Sequence, residues 1–155
     1  MNDGIEKIKE WAQEMENYEA IPWDRLPEID LYMDQVITYM DRQLDGFQRI
    51  KANKLLTPSM INNYVKDKVL DRPEQKKYSR NHLAILTFIC MLKPVLAIQD
   101  ISSLLHALLQ DDTKQELYDT FCSFQSQALH EVCGQVLATA EKGKPELIKL
   151  AVLLS

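Results

Sequence analysis

Apolar residues recur every three or four positions along most of the chain, which is the spacing of one buried face of an α-helix. The residues between them are mainly charged or amides. The segment 80–93 is apolar almost all round, so it is predicted to be a central buried helix. The pattern as a whole predicts helices over residues 5–18, 31–47, 58–67, 80–93, 98–109, 113–141 and 146–154.

Residues that break helices separate these segments. Pro22 and Pro27 mark a non-helical connector, and its large apolar side chains, Trp23 among them, are expected to pack against the body. Residues 48–56 form either an unusually long turn or more helix, because Phe47 and Ile50 keep the helical spacing. Residues 142–145 combine cations, glycine and proline, which is typical of a helix end.

The strongest local signals lie in residues 57–67. Thr57 and Pro58 suit the N-cap and the first position of a helix. Ile61, Tyr64 and Val65 then form one apolar face. The opposite, polar face carries Ser59, Asn62, Asn63 and Lys66.

A small basic hairpin is predicted to follow this helix. Residues 71–74 have turn chemistry. Residues 70–72 and 76–78 are predicted to be its two arms, and Ser79 is predicted to cap the buried helix. Tyr78 is expected to pack its ring between hairpin and core.

This outline resembles the MerR-type winged helix-turn-helix DNA-binding domain, over about residues 31–109. Ile61 matches the family's buried leucine, and Lys77-Tyr78-Ser79 matches the step that closes its wing. Asn62 and Asn63 stand where the family has an arginine-tyrosine pair. Lys68 replaces a glycine, which suggests a different turn. The whole chain also resembles an uncharacterised bacterial family known as a domain of unknown function.

The resemblance implies an all-α fold: a MerR-like winged helix-turn-helix core with at most a small β-hairpin wing, plus N- and C-terminal helices. Residues 1–28 would form an N-terminal helix and connector, 29–109 the core, and 110–155 a helical extension, packed as one unit. The resemblance also implies a homodimer formed through the helix from Thr113. The alternative is that the last two helices fold back and cover the helix at 83–92.

Composition narrows the class of protein. A chain of 155 residues with 46% hydrophobic residues can bury a core. Its N-terminus is acidic, unlike a signal peptide, and its longest apolar stretch is about half a membrane span. Cys90, Cys122 and Cys133 are an odd count, which indicates reduced thiols and a cytoplasmic location.

Charge is distributed unevenly along the chain. The net charge is -5, but residues 51–82 hold eight basic and three acidic residues, so this segment is +5 and the remainder is -10. Such a segment could face phosphate while the acidic body stays away from it. The alternative is an ordinary solvated loop and helix.

Signals for catalysis are missing from the sequence. There is no glycine-rich phosphate loop and no ordered serine, histidine and aspartate set. His130 and Cys133 lie three residues apart, but two ligands do not make a zinc site, and packing explains them better. We therefore expect a non-enzyme without metal or cofactor.

Two functions remain open. The first is a transcriptional regulator that binds double-stranded DNA, with Ser59, Asn62 and Asn63 at base edges. Its phosphate contacts would be Lys66, Lys76, Lys77 and Arg80, together with the hydroxyl of Tyr78. The second is a protein-interaction module that has kept a winged-helix scaffold and lost DNA contacts. Acidic neighbours beside the basic segment would favour the second.

Overall fold

The computed structural model describes residues 2–47, 54–142 and 146–155. Over these ranges the chain is mostly helical, with one two-stranded antiparallel sheet, so the predicted all-α class with a small β element is confirmed. The helices are α1 (Asn2–Glu16), α2 (Met33–Gln43), α3 (Pro58–Lys66), α4 (Arg80–Leu92), α5 (Ile98–Leu108), α6 (Lys114–Ala140) and α7 (Leu147–Leu154). The strands are β1 (Leu31–Tyr32) and β2 (Lys77–Tyr78).

Two predictions fall on other parts of the chain. Most of the predicted turn at 48–56 and most of the predicted helix end at 142–145 lie outside the described residues. None of the described helices combines the length and the apolar character that crossing a bilayer requires.

The chain divides into two compact units. The central unit is Ile21–Thr120, and the terminal unit combines Met1–Ala20 with Phe121–Ser155. Helix α6 contributes to both. The connector at 21–28 lies in the central unit.

Helix α4 is the centre of the central unit. Eight of its 13 residues are buried, as its apolar pattern predicts. Buried side chains of the neighbouring helices complete this core: Val36 and Met40 from α2, Ile61 from α3 and Ile101 from α5, each at most 1% exposed. Burying side chains of this size contributes about 1.5–3 kcal/mol apiece.

The proline-rich connector packs into the same unit, as predicted. Leu26 is 4% exposed. The ring of Trp23 meets that of Tyr118 edge to face, with centroids 5.9 Å apart. The Tyr118 hydroxyl donates to the Ile21 carbonyl oxygen at 2.6 Å. Aromatic packing of this kind fixes the connector, so Trp23 is an anchor.

The strand pairing differs from the predicted hairpin. Residues 70–72 form no strand; β2 pairs with β1 instead, with Leu31 opposite Tyr78. The turn has positive φ at Gln75 and Lys76, so Glu74 faces Lys77 across two residues. Pro73 has no N–H and cannot extend a ladder back along the chain. Strand β2 therefore pairs with β1 and not with residues 70–72.

The helix predicted from residue 31 also starts later than expected. Leu31 and Tyr32 are strand, and α2 begins at Met33. The Tyr32 N–H donates to the Gln35 side-chain oxygen at 2.9 Å, which satisfies one backbone donor at the start of the helix. Leu31 and Tyr32 are extended and pair with β2, and the helix begins directly after them.

The terminal unit is built from α1, the part of α6 after Thr120, and α7. Ala12 and Met15 of α1 are buried, and so are Cys133 and Val136 of α6. Lys9 and Glu141 form an ion pair at 3.0 Å. This unit carries none of the residues predicted to contact DNA.

Candidate nucleic-acid interface

The outer face of α3 presents four of the predicted site residues together. Ile61 is fully buried and holds the helix against the core. The exposed side chains, at intervals of three and four residues on the opposite face, are Ser59, Asn62, Asn63 and Lys66. No hydrogen bond or ion pair within the described ranges occupies the side chains of Asn62 and Asn63, so their amides are available to a ligand.

Both ends of α3 are fixed by local hydrogen bonds. The Thr57 hydroxyl oxygen accepts from the Met60 N–H at 3.1 Å, which confirms the predicted cap. At the other end, Lys68 has φ of 60°, the left-handed conformation that glycine usually supplies. The N–H groups of Lys68 and Val69 return to the carbonyls of Val65 and Tyr64. The helix thus ends in a Schellman turn despite the lysine.

The turn between Glu74 and Lys77, with strand β2, forms the wing. Lys76 lies at its tip and is exposed. Lys77 is half-buried, with its Nζ 5.3 Å from the centre of the Tyr32 ring, which is within cation–π distance. Tyr78 is 3% exposed, and burial raises the pKa of its hydroxyl above the ordinary value. The wing therefore presents the exposed side chain of Lys76 at its tip.

Buried His82 ties the wing to α4. Its Nδ1 accepts from the Ser79 N–H at 2.9 Å, so this nitrogen carries no proton. Its Nε2 consequently bears the proton and donates to the Arg72 carbonyl oxygen at 3.2 Å. The ring also meets that of Tyr78 edge to face at 5.2 Å. His82 therefore joins the residues on both sides of the wing to the start of α4.

The Arg80 side chain bonds to the connector at residues 21–28. Its Nε and Nη2 donate to the Leu26 carbonyl oxygen at 3.1 and 2.9 Å, and Nη2 also donates to the Asp24 carbonyl oxygen at 3.1 Å. The Glu28 carboxylate lies 3.8 Å away. The guanidinium holds the connector, so it is engaged within the central unit.

A groove of about 610 Å³ runs beside the start of α3. Thr57, Pro58 and wing residue Lys76 all line it, so the helix start and the wing tip border one surface. Lys54 adds a second cation, while Asp34 and Asp41 of α2 add two carboxylates. The groove thus carries both signs of charge. Sequence reasoning missed these aspartates, although their seven-residue spacing places them on one helix face.

Two further side chains, Asp71 and Cys90, have shifted pKa values that follow from their structural surroundings. A hydrogen bond from Lys114 holds the pKa of Asp71 below its ordinary value. Burial raises the pKa of the Cys90 thiol to about 12, so this cysteine is unreactive at neutral pH. Over the described ranges, no three His, Cys, Asp or Glu side chains are grouped closely enough to hold a metal ion.

Comparison with known proteins identifies one family. A search of curated proteins and a search of solved structures each gave no match. The sequence profile of the family described as "Domain of unknown function (DUF1836)" matches residues 21–124. The match covers the whole central unit, including α3, the wing and the groove, and about two thirds of the chain. The chain therefore belongs to the DUF1836 family.

Proposed function

We propose that this chain is a transcriptional regulator that binds double-stranded DNA through a MerR-like winged helix-turn-helix. The order of elements supports the proposal: α2, a connection, α3, a wing and α4 follow one another. In such a domain the second helix enters the major groove. Helix α3 has this position in the order.

The observation that carries the proposal is the polar face of α3 beside the wing. Asn62 and Asn63 expose side-chain amides, which suit bidentate hydrogen bonds to adenine. Ser59 is exposed on the same face. Lys66 and Lys76 would contact phosphates, and Lys76 lines the same groove as the start of α3.

The experiment is gel retardation of genomic fragments by the purified full chain, followed by salt titration on the preferred fragment. Lys76→Ala should weaken binding to every fragment and reduce the slope of log affinity against log salt by about 1. Asn62→Ala should keep the slope and cost about 1–3 kcal/mol on the preferred site alone. Lys149→Ala, an exposed lysine of the terminal unit, is the matched control and should change neither quantity.

Absence of any retarded fragment at low salt and micromolar protein would reject DNA binding. Equal effects of the Lys76 and Lys149 substitutions would reject the placement of the interface on the wing. Helicity should be the same in all variants, since these side chains are exposed.

A second candidate is a protein-interaction module on the same scaffold. Asp34 and Asp41 favour it, because carboxylates in the groove would repel phosphate. Replacing both with asparagine distinguishes the two functions. The double variant should bind DNA more tightly if the groove faces phosphate, whereas a protein that docks by its own lysines would bind it less well.

We also propose a homodimer through α6. Phe124 is 68% exposed, and Ala128 and Val132, one and two turns further along, are exposed as well. They form an apolar stripe on the surface of the helix, which suits a self-complementary contact. Sedimentation at micromolar concentration should give a dimer mass, and Phe124→Ser should give a monomer. A monomer mass for the unchanged chain would reject the dimer.

We propose a cytoplasmic, non-catalytic role. Cys90, Cys122 and Cys133 are all buried in the core, which suits thiols in a reducing compartment. The proposed binding needs no cofactor.

A further inference from the structure

A cavity of about 230 Å³ lies within the central unit, beside residues 68–71, which lead toward the wing. Its walls come from the turn after α3, the first turns of α4, the last turn of α5 and the first residue of α6. It shares no lining residue with the groove beside α3. It is therefore a separate candidate site.

The floor of this cavity is apolar. Leu70, Ile85 and Leu105 form it, and each is at most 4% exposed. An apolar cavity of about 150 Å³ in another protein takes up benzene. A volume of 230 Å³ thus has room for one aromatic ring with a short side chain.

The rim of the cavity is polar and carries an excess of positive charge. Lys114 and Asp71 neutralise each other through their ion pair. Lys68 has no ion-pair partner in the described part of the chain and remains as a cation. Asn81 and Gln110 add exposed amide groups. A pocket with an apolar floor and a few polar groups at its mouth is the usual form of a small-molecule site.

The cavity also touches the groups that hold the wing. His82 forms part of the wall, and its ring nitrogens bond to Ser79 and Arg72. Asp71, where the segment leading to the wing begins, lies on the same wall. A ligand seated here contacts the anchor of the wing directly.

We propose that this cavity binds a small organic acid, with its carboxylate at Lys68 and the Asn81 and Gln110 amides and its apolar body on the Leu70, Ile85 and Leu105 floor. A bound acid restricts the motion of the segment that anchors the wing. Binding of such an acid does not depend on whether α3 contacts DNA, so the two can fail separately.

The experiment is a titration of the ¹⁵N-labelled full chain with phenylacetate, followed by amide chemical shifts. Saturable shifts are expected at the cavity residues and at Lys77 and Tyr78 in the wing. A ligand of this size should have a Kd on the order of a millimolar. The neutral probe 2-phenylethanol has nearly the same shape, and it should bind about threefold more weakly because it lacks the charge.

Lys68→Gln removes the cation and should weaken phenylacetate binding by about threefold. Lys149→Gln, at an exposed lysine of the terminal unit outside the cavity, is the matched control and should leave Kd unchanged. The proposal is overturned by an absence of saturable shifts, by shifts confined to other surfaces, or by equal affinity for acid and alcohol. The comparison of the two probes needs no variant, so it decides even if Lys68→Gln fails to fold.

Discussion

Replacing Arg80 with alanine tests whether this residue holds the fold or contacts DNA. The sequence places Arg80 beside the wing, where a phosphate contact is the natural expectation. In the structure its side chain is only 24% exposed, and its donors meet two backbone carbonyls of the connector. We expect Arg80→Ala to lower the free energy of unfolding.

The size of the effect follows from the contacts. Hydrogen bonds from a charged group contribute about 1.5–3 kcal/mol, and the two bonds to the Leu26 carbonyl count once because they share an acceptor. The Asp24 bond is exposed and adds less. The Glu28 pair adds at most about 1 kcal/mol, since that carboxylate is almost fully exposed. Alanine suits the start of a helix, so the total loss should be about 2–4 kcal/mol.

The assay is urea unfolding followed by helical circular dichroism. Arg72→Ala removes an exposed arginine close by in sequence and should change stability by no more than about 0.5 kcal/mol. Arg80→Lys keeps the charge but loses the planar fork, so it should fall between the two. Equal stability of the Arg80 and Arg72 variants would refute the structural role and return Arg80 to the candidate phosphate contacts.

Two other substitutions test the wing and its surroundings. Tyr78→Phe should leave stability nearly unchanged while Tyr78→Ala should cost about 3 kcal/mol or more, because the ring is 3% exposed; small and equal losses in urea unfolding would mean that the ring does not pack. Asp71 has a lowered pKa, so its ion pair with Lys114 stabilises the fold above the ordinary carboxyl value of 3.8 and this contribution is lost as pH falls further. Asp71→Asn should therefore flatten the loss of stability in acid by a small, salt-sensitive amount, and an unchanged acid profile would contradict this.

Local signals were enough to predict α3 and the start of α4. Thr57 and Pro58 act within one turn of their own position, so the structure of the helix start follows from neighbouring residues alone. Ser79 is the N-cap of α4, and its N–H donates to the His82 ring three residues on, so this helix start also depends on neighbouring residues. The nearly continuous apolar pattern of α4 also predicted its burial, because a helix that is apolar all round needs cover on every side.

The pairing of strands that lie far apart in the chain could not be predicted from the sequence. Strands β1 and β2 have two residues each, too short to show a period of two, and they lie far apart in the chain. Leu31 also continues the apolar spacing of α2, so the pattern alone places it in the helix. The contact of Arg80 with Leu26 joins residues 54 positions apart, and nothing in the local pattern marks it.

The same limit applies to the candidate site. The α3 face follows from helical spacing, because one period places Ser59, Asn62 and Asn63 together. The groove requires α2, the segment before α3 and the wing tip to meet, and this depends on how the core packs. Charge counted along the segment 51–82 is positive, but the folded groove also receives Asp34 and Asp41 from outside that segment. The fold thus places two carboxylates beside the basic residues, so the charge of the segment alone overstates the attraction of the groove for phosphate.

Around α3, the buried side chains that hold the fold differ from the exposed side chains that we propose to bind DNA. Ile61, Tyr78 and His82 are buried and fix the helix and the wing. Asn62 and Lys76 are exposed, and neither has a hydrogen bond or an ion pair within the described ranges. A binding site works best when its contact groups stand on elements that other residues hold rigid. Substitutions at Asn62 and Lys76 should therefore leave the free energy of unfolding within about 0.5 kcal/mol of the unchanged chain, so any loss of binding that they cause belongs to the interface itself.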